Sequence, residues 1–319
     1  NYTFGGDLVS MYGVKNGEYR DYVNNITYND FGQKKIIKYG NGTSAEYEYD
    51  ELHRLLKLKS YSSNGTMQDI EYFYDNASNI YAIQNNTGQA GGIGGSYINQ
   101  YRYDELNRLS KVDVRSTGGN YYLNYQYSAA GRMANKHTNI NSNTTSGIQD
   151  LLYGYCKEYQ PHAVRRIYNR DEDILCDFRW DDAGNLIQAN NIQNHEYQSS
   201  RFLFWTEDNR LHTVADEKHY SYYTYDHAGE RTLKLTGNND IMDVNADCMY
   251  SLATLNNLTM YPSPYLVLSD RGYTKHYYTG TERLCARIGG GNLEATDNVI
   301  LQNNSLRQKA NSLFEHCLN

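Results

Sequence analysis

The sequence has no stretch that approaches the roughly 18 consecutive apolar residues of a membrane-crossing helix. Its mean hydropathy of −0.79 is that of a water-facing chain, so a membrane span is set aside. It has no basic excess either: the net charge is −7 and the isoelectric point near 5.7. That balance does not neutralise phosphates, and nucleic acid is excluded as a main partner. Cysteine is sparse and scattered. The five residues Cys156, Cys176, Cys248, Cys285 and Cys317 are odd in number, far apart and without a CxxC pair. They read as buried or incidental thiols, not as a disulfide framework or zinc site. Asn1 is followed by no basic-then-apolar leader, so the chain reads as a fragment or processed product whose export signal would lie upstream.

Motifs that carry chemistry are missing as well. The nine histidines show no HExxH spacing, and no serine lies in a GxSxG context. The glycine-rich string 85–100, NNTGQAGGIGGSYINQ, lacks the Lys-Ser/Thr of a phosphate loop, so it reads as a flexible connection between hairpins. His53 and His227 read as exposed turn residues, and His162 and His276 as packing or hydrogen-bonding groups. Carboxylate pairs such as Asp181-Asp182 have turn chemistry as their explanation. The chain is expected to be no enzyme and to need no cofactor or metal.

What is present in excess is tyrosine, 34 residues against 7 phenylalanines and 3 prolines. An apolar ring with a hydrogen-bonding tip suits a half-buried strand, and the composition favours extended β structure. The tyrosines recur in a pattern. EYEYDELHRLLKL at 46–58 returns almost unchanged as QYRYDELNRLSKV at 100–112.

Aligned units run through Tyr28 with Gly32; Tyr49, Asp50 and Arg54; Tyr74 and Asp75; Tyr103, Asp104 and Arg108; and Tyr127 with Gly131. They continue through Trp180, Asp181 and Gly184; Trp205 and Arg210; and Tyr225, Asp226 and Gly229. The aromatic anchors lie 21, 25, 29 and 24 residues apart, then 53, then 25 and 20. The interval of 53 holds one degenerate unit near LLYGYCKEYQ.

Each unit reads as a strand, a type I turn opened by aspartate, a left-handed position filled by glycine, and a returning strand. In the units without glycine, Asn79 and Asn209 are expected at the left-handed position, and Asn107 likewise. Alternation places Tyr47 and Tyr49 on one face, and Leu56 and Leu58 opposite Lys57 and Lys59. A helical reading of DELHRLLKL competes with this, but the glycine column and the β-rich flanks oppose it. The fold class is therefore all-β: hairpins laid edge to edge in one long antiparallel sheet, since a lone hairpin is marginal. Residues 1–235 form the repeat region and 236–291 its continuation. In the tail 292–319, Leu301, Leu306, Ala310, Leu313, Phe314 and Cys317 fall near helical spacing and predict a short amphipathic helix.

The string Tyr-Asp-x-x-Gly-Arg-Leu at these intervals resembles the repeat of the RHS and YD-repeat proteins, a group that includes bacterial polymorphic toxins, toxin-complex C components and teneurins. YQPHAVRRI at 159–167 and SPYLVLSDRGYTKHYYTGTERLCARIGGG at 263–291 are similar to bacterial RHS cores of the Bacteroidetes type. The resemblance implies a spiralling β-sheet that forms part of a hollow shell. It further implies a secreted or cell-surface bacterial setting and, as partner, an enclosed toxin or effector polypeptide. The family's Asp-Pro self-cleavage motif has no counterpart, because none of Pro161, Pro262 and Pro264 follows an aspartate. An HxDHLGS-like repeat is missing too, so the resemblance implies a shell that does not close within this chain. The rival reading is an adhesin-like module whose tyrosine-rich faces bind glycans or proteins.

Overall fold

The computed structural model describes residues 1–15, 17–88, 95–142, 146–156, 160–245 and 248–290. It is all-β: 23 strands, with no helix among the described residues. The amphipathic helix predicted for 292–319 lies outside the described residues, as does the centre of the glycine-rich string. Contacts divide the chain into two units, 1–152 and 153–319.

In the first unit the strands are β1 (Met11–Lys15), β2 (Glu18–Tyr28), β3 (Lys34–Tyr39), β4 (Ser44–Tyr49), β5 (Leu55–Ser62) and β6 (Gly65–Tyr74). They continue as β7 (Ile80–Asn85), β8 (Tyr97–Tyr103), β9 (Leu109–Ser116), β10 (Gly119–Tyr127), β11 (Met133–Ser142) and β12 (Ser146–Tyr155), which runs into the second unit. From β1 to β12 each consecutive pair of strands is antiparallel, as the hairpin reading predicted.

The second unit repeats the plan with β13 (Val164–Tyr168), β14 (Ile174–Trp180), β15 (Leu186–Gln193), β16 (Glu196–Trp205), β17 (Leu211–Ala215) and β18 (His219–Tyr225). After them come β19 (Arg231–Asn245), β20 (Cys248–Ser263), β21 (Leu266–Ser269), β22 (Gly272–Thr279) and β23 (Glu282–Gly289). These too pair in unbroken sequence order.

The sheets bury little. In the first unit full burial falls to small and β-branched residues such as Val23, Ile26, Ile37, Ala45, Ala82, Val112 and Val114. In the second it includes Ala215, Tyr220, Leu258 and Leu284, together with the polar Asp177, Asn190 and Thr213. Asp177 accepts from Arg166 Nε at 3.0 Å, and its carboxylate is thereby paired and not orphaned. Most ring surface is only half-covered.

The alternation predicted around Tyr49 needs one correction. Tyr49 pairs with Leu55 and Tyr47 with Leu58, and the register slips between Glu48 and Tyr49. Leu56 is the extra residue in that slip and is exposed. A bulge shifts the phase of a returning strand by one position, so strict period-two counting fails just after each turn.

Candidate functional site: a ladder of aromatic anchors

The eight predicted anchors occupy one structural role. Tyr28, Tyr49, Tyr74, Tyr103 and Tyr127 in the first unit each end a strand at a register slip, facing the residue six positions on. Trp180, Trp205 and Tyr225 do the same in the second. In the Tyr103 turn, Asp104 N donates to the Arg108 carbonyl at 2.9 Å and Asn107 N to the Asp104 carbonyl at 3.0 Å. The left-handed residue has φ +57° at Asn107, +62° at His53, +57° at Asn209 and +76° at Gly32. Gly131, Gly184 and Gly229 hold the same position.

One expectation is overturned here. Ser78, at φ +65°, and not Asn79, takes the left-handed position of the Tyr74 turn. Asn79 stands one place later, in the column of Arg54 and Arg108. Its amide donates to Asp75 Oδ2 at 3.1 Å and to Asn107 Oδ1 of the following turn at 2.9 Å.

Each aspartate closes its own turn. Asp50 Oδ1 accepts from Leu52 N and Arg54 N at 2.9 and 2.8 Å, while Oδ2 accepts from Arg54 Nε at 2.7 Å. Asp104 repeats this arrangement with Leu106 and Arg108. The hydrogen bonds hold these carboxyls below the usual carboxylate range. For Asp75 and Asp181 the side-chain amides of Asn79 and Asn185 are the main cause, and for Asp104 the Arg108 backbone N–H. At Asp50 desolvation pushes the other way and the Arg54 bonds outweigh it. Because the folded values are depressed, this stabilisation is complete above the unfolded value of about 3.9 and is lost as pH falls through the folded ones. The thermal midpoint followed by circular dichroism should therefore hold steady down to about pH 5 and drop steeply below about pH 4. An Asp50→Asn, Asp75→Asn, Asp104→Asn, Asp181→Asn chain should start lower and show a shallower acid limb.

The polar tip of each anchor joins consecutive hairpins. Tyr49 Oη donates to the Lys34 carbonyl at 2.9 Å, Tyr74 to Leu55 at 2.8 Å, Tyr103 to Ile80 at 2.7 Å and Tyr127 to Leu109 at 2.8 Å. In the second unit Trp180 and Trp205 donate through Nε1 to Val164 and Leu186 at 2.9 and 2.8 Å, and Tyr225 Oη to Leu211 at 2.7 Å. Where consecutive anchors are both recognised, the acceptor is the residue six places after the preceding anchor. Tyrosine and tryptophan join a flat apolar body to a donor, which phenylalanine lacks. The ladder thus gives these anchor positions a reason to be tyrosine or tryptophan and not phenylalanine.

A second rung runs from turn to turn. Gln33 donates to the His53 carbonyl at 2.9 Å, Arg54 to Ser78 Oγ at 2.9 Å, Asn185 to Asn209 Oδ1 at 2.8 Å and Arg210 to the Gly229 carbonyl at 2.7 Å. Arg54 and Arg108 also lie over the next anchors, 4.4 Å from the Tyr74 centroid and 4.5 Å from that of Tyr127.

Sequence reasoning missed three members of this system. Residues 2–8 are a full turn: Tyr2 bridges Leu8, Gly6 has φ +92°, and Leu8 supplies the carbonyl for Tyr28 Oη at 2.8 Å. The signal was there in the Tyr2, Gly6, Leu8 spacing, hidden by Thr3 in the aspartate column. Asn169–Asp173 closes the same way with Glu172 at φ +65°, where neither aspartate nor glycine marks the place. Tyr278 Oη reaches the Pro264 carbonyl at 3.4 Å and carries the ladder past the last recognised unit. The degenerate unit begins within β12, and β13 after it supplies the Val164 carbonyl to Trp180.

Other singled-out residues stay apart from one another. His53 and His227 are exposed on turns, and His162 is exposed before β13. His276 is half-buried in β22, and its Nδ1 is a buried atom without a hydrogen-bond partner. Cys156, Cys176 and Cys285 are free, and burial pushes the thiols of Cys176 and Cys285 up. No cluster of three or more His, Cys, Asp or Glu placed to hold a metal occurs among the described residues. No helix of the described residues is long and apolar enough to cross a membrane.

The second unit also carries an open trough of about 660 Å³ lined by Ile187, Phe202, Phe204 and Trp205, with Arg179 and Glu207 among its polar groups. Phe202 is 42% exposed and Ile187 36%, so the trough offers uncovered apolar surface.

Solved structures share this architecture. The chain aligns over 92% of its length with the crystal structure of TcdB2-TccC3-Cdc42, at a TM-score of 0.54 and 18% identity. The crystal structure of TcdB2-TccC3 gives 0.54 and 17%, and a Tc holotoxin pore of Photorhabdus luminescens 0.53 and 17%, each over 92% of the chain. The likeness is one of fold. It supports the RHS-like fold implied by the repeats, and the chain spans only 15–16% of those much longer chains. No family model and no curated protein matches the sequence.

Proposed function

We propose that the chain is a non-enzymatic segment of an RHS/YD-repeat wall that holds a polypeptide away from its surroundings, the passenger being the toxin or effector domain of a secreted or cell-surface bacterial protein. The observation that carries this reading is a long hairpin sheet that leaves large apolar side chains uncovered. Phe202 and Ile187 in the trough, and Tyr81 and Tyr121 in the first unit, are such residues. A globular domain covers such surface, whereas a wall presents it to whatever lies against it. Contacts of this kind are weak, numerous and non-directional, so they suit an unfolded passenger of varied sequence. The likeness in fold to toxin-complex chains supports the same reading.

Protease protection tests it. A permanently unfolded passenger, reduced and alkylated so that it cannot refold, should survive trypsin several-fold longer with the full chain than without it. A compact folded protein of similar size should gain nothing. Equal survival of the unfolded passenger with and without the chain would sink the proposal. The trough contributes directly: Phe202→Ser should shorten the protection while leaving the circular dichroism spectrum unchanged.

A further inference from the structure

The strands of the first unit sort their charges by face. From β4 to β10 the pairing register fixes which residues share a side. One row runs Glu48, Lys57, Glu71, Gln84, Ile98 and Arg115. Glu46, Lys59 and Asp69 form the next row on that side. Two and four places beyond Ile98, Gln100 and Arg102 set Asp113 and Lys111 on the same side. Every charged residue of β4–β10 therefore stands on one face, and the other carries none. The charges answer one another: Lys57 Nζ lies 3.3 Å from Asp69 and 3.2 Å from Glu71, and Lys111 Nζ 3.2 Å from Asp113.

The uncharged face carries Tyr47, Tyr72, Tyr97, Tyr101, Tyr121 and Tyr125. It is the crowded one. Of the buried hydrophobic residues in these strands, Ala45, Ile70, Val112 and Val114 lie on it and only Ala82 on the other. Burial pushes the Tyr97 phenol up, with Tyr72 and Tyr101 beside it as smaller causes. Yet no second layer among the described residues covers this face, because the substantial contacts between strands join sequence neighbours. Tyr121 stays 43% exposed. The hydroxyls of Tyr72, Tyr97, Tyr101 and Tyr125 find no hydrogen-bond partner among the described residues.

Resting on the enclosing role proposed above, we infer that the first unit holds its passenger on this uncharged face, and that the segments held there are uncharged stretches of extended polypeptide. A lysine or glutamate laid on the face would lose water and meet no opposite charge. An uncharged segment gives up only unfavourable contact between water and apolar surface, and its backbone carbonyls accept from the free phenols. The charged face, with its ion pairs, stays toward solvent.

Two permanently unfolded passengers of equal length test this on the intact chain, one without charged side chains and one with lysine and glutamate at regular intervals. A protease that cuts beside apolar residues makes both of them substrates. The uncharged passenger should survive several-fold longer with the chain than without it, and the charged passenger should gain little. Tyr121→Lys and Tyr121→Asp each set a charge on the uncharged face at an exposed position and should shorten the protection several-fold, whichever the sign. Gln126→Lys, exposed on the charged face of the same strand, should leave it unchanged. All three should keep the wild-type circular dichroism spectrum. Equal protection of the two passengers, or equal loss in Gln126→Lys, overturns the inference and leaves the enclosing role standing; protection of neither passenger removes both. Maltoheptaose in large excess should not compete, and displacement of the passenger by it would assign the face to sugars and overturn the inference.

Discussion

Replacing Tyr103 by alanine should lower the stability of the first unit by about 2–3 kcal/mol, short of the roughly 3–5 kcal/mol of a fully buried ring because Tyr103 is only half-covered. Two losses combine. One is ring contact with its neighbours, whose desolvating effect already pushes the Tyr103 phenol up. The other is the 2.7 Å bond to the Ile80 carbonyl. Tyr103→Phe separates them: the ring stays, the carbonyl loses its donor, and the cost should be about 1 kcal/mol. Tyr103→Trp should recover part of the loss, because Trp180 and Trp205 fill this role through Nε1. Urea unfolding of the three variants gives the measurement. Equal stability of the phenylalanine variant and the wild type would show that the ladder is incidental to the fold. Hydrogen exchange should place the damage in β7, β8 and β9, since a repeat array passes strain to its nearest neighbours.

Gly229→Val should do more harm than Gly184→Val, although both glycines occupy the same place in the turn. Their φ values are +87° at Gly184 and +85° at Gly229, a region that costs a β-branched residue about 1–2 kcal/mol. Around Gly184 a Cβ meets no atom within 4 Å, so the backbone term stands alone. At Gly229 the Cβ would fall on the Arg210 guanidinium. Arg210 would then give up its 2.7 Å bond to the Gly229 carbonyl and its place 5.7 Å from the Tyr225 centroid. The difference between the two variants should be about 1–2 kcal/mol, the worth of a charge-assisted bond and a partly exposed cation–π contact. Thermal melts of the pair measure it. An Arg210→Ala background should shrink the gap, because the side chain that collides is then gone. Persistence of the full gap there would assign the harm to something other than the turn-to-turn rung.

Much of this was legible because a hairpin repeat writes its local chemistry in a fixed order. Asp104 opens a turn because its carboxylate can reach backbone N–H groups two and four residues on. Glycine sits at 32, 131, 184 and 229 because each position has positive φ. Such requirements are met within six residues and leave a mark in any aligned unit. Where a side chain other than aspartate or glycine met the same requirement, the mark faded. Thr3 caps its turn through Oγ1, and Ser78 and Glu172 accept the left-handed conformation.

The sequence by itself determined the all-β class, the hairpin unit, the position of each recognised turn and the aromatic identity of each anchor, because these depend on contacts between residues near in the chain. Only the tertiary structure decided what the anchors do. The partner of Tyr103 Oη is a carbonyl 23 residues away, and that of Arg210 Nη1 lies 19 residues away. The string of a single hairpin carries no trace of which neighbour it will meet. The trough at Phe202 is decided the same way. Exposure belongs to what the other strands leave uncovered, and that is fixed only when the sheet is assembled.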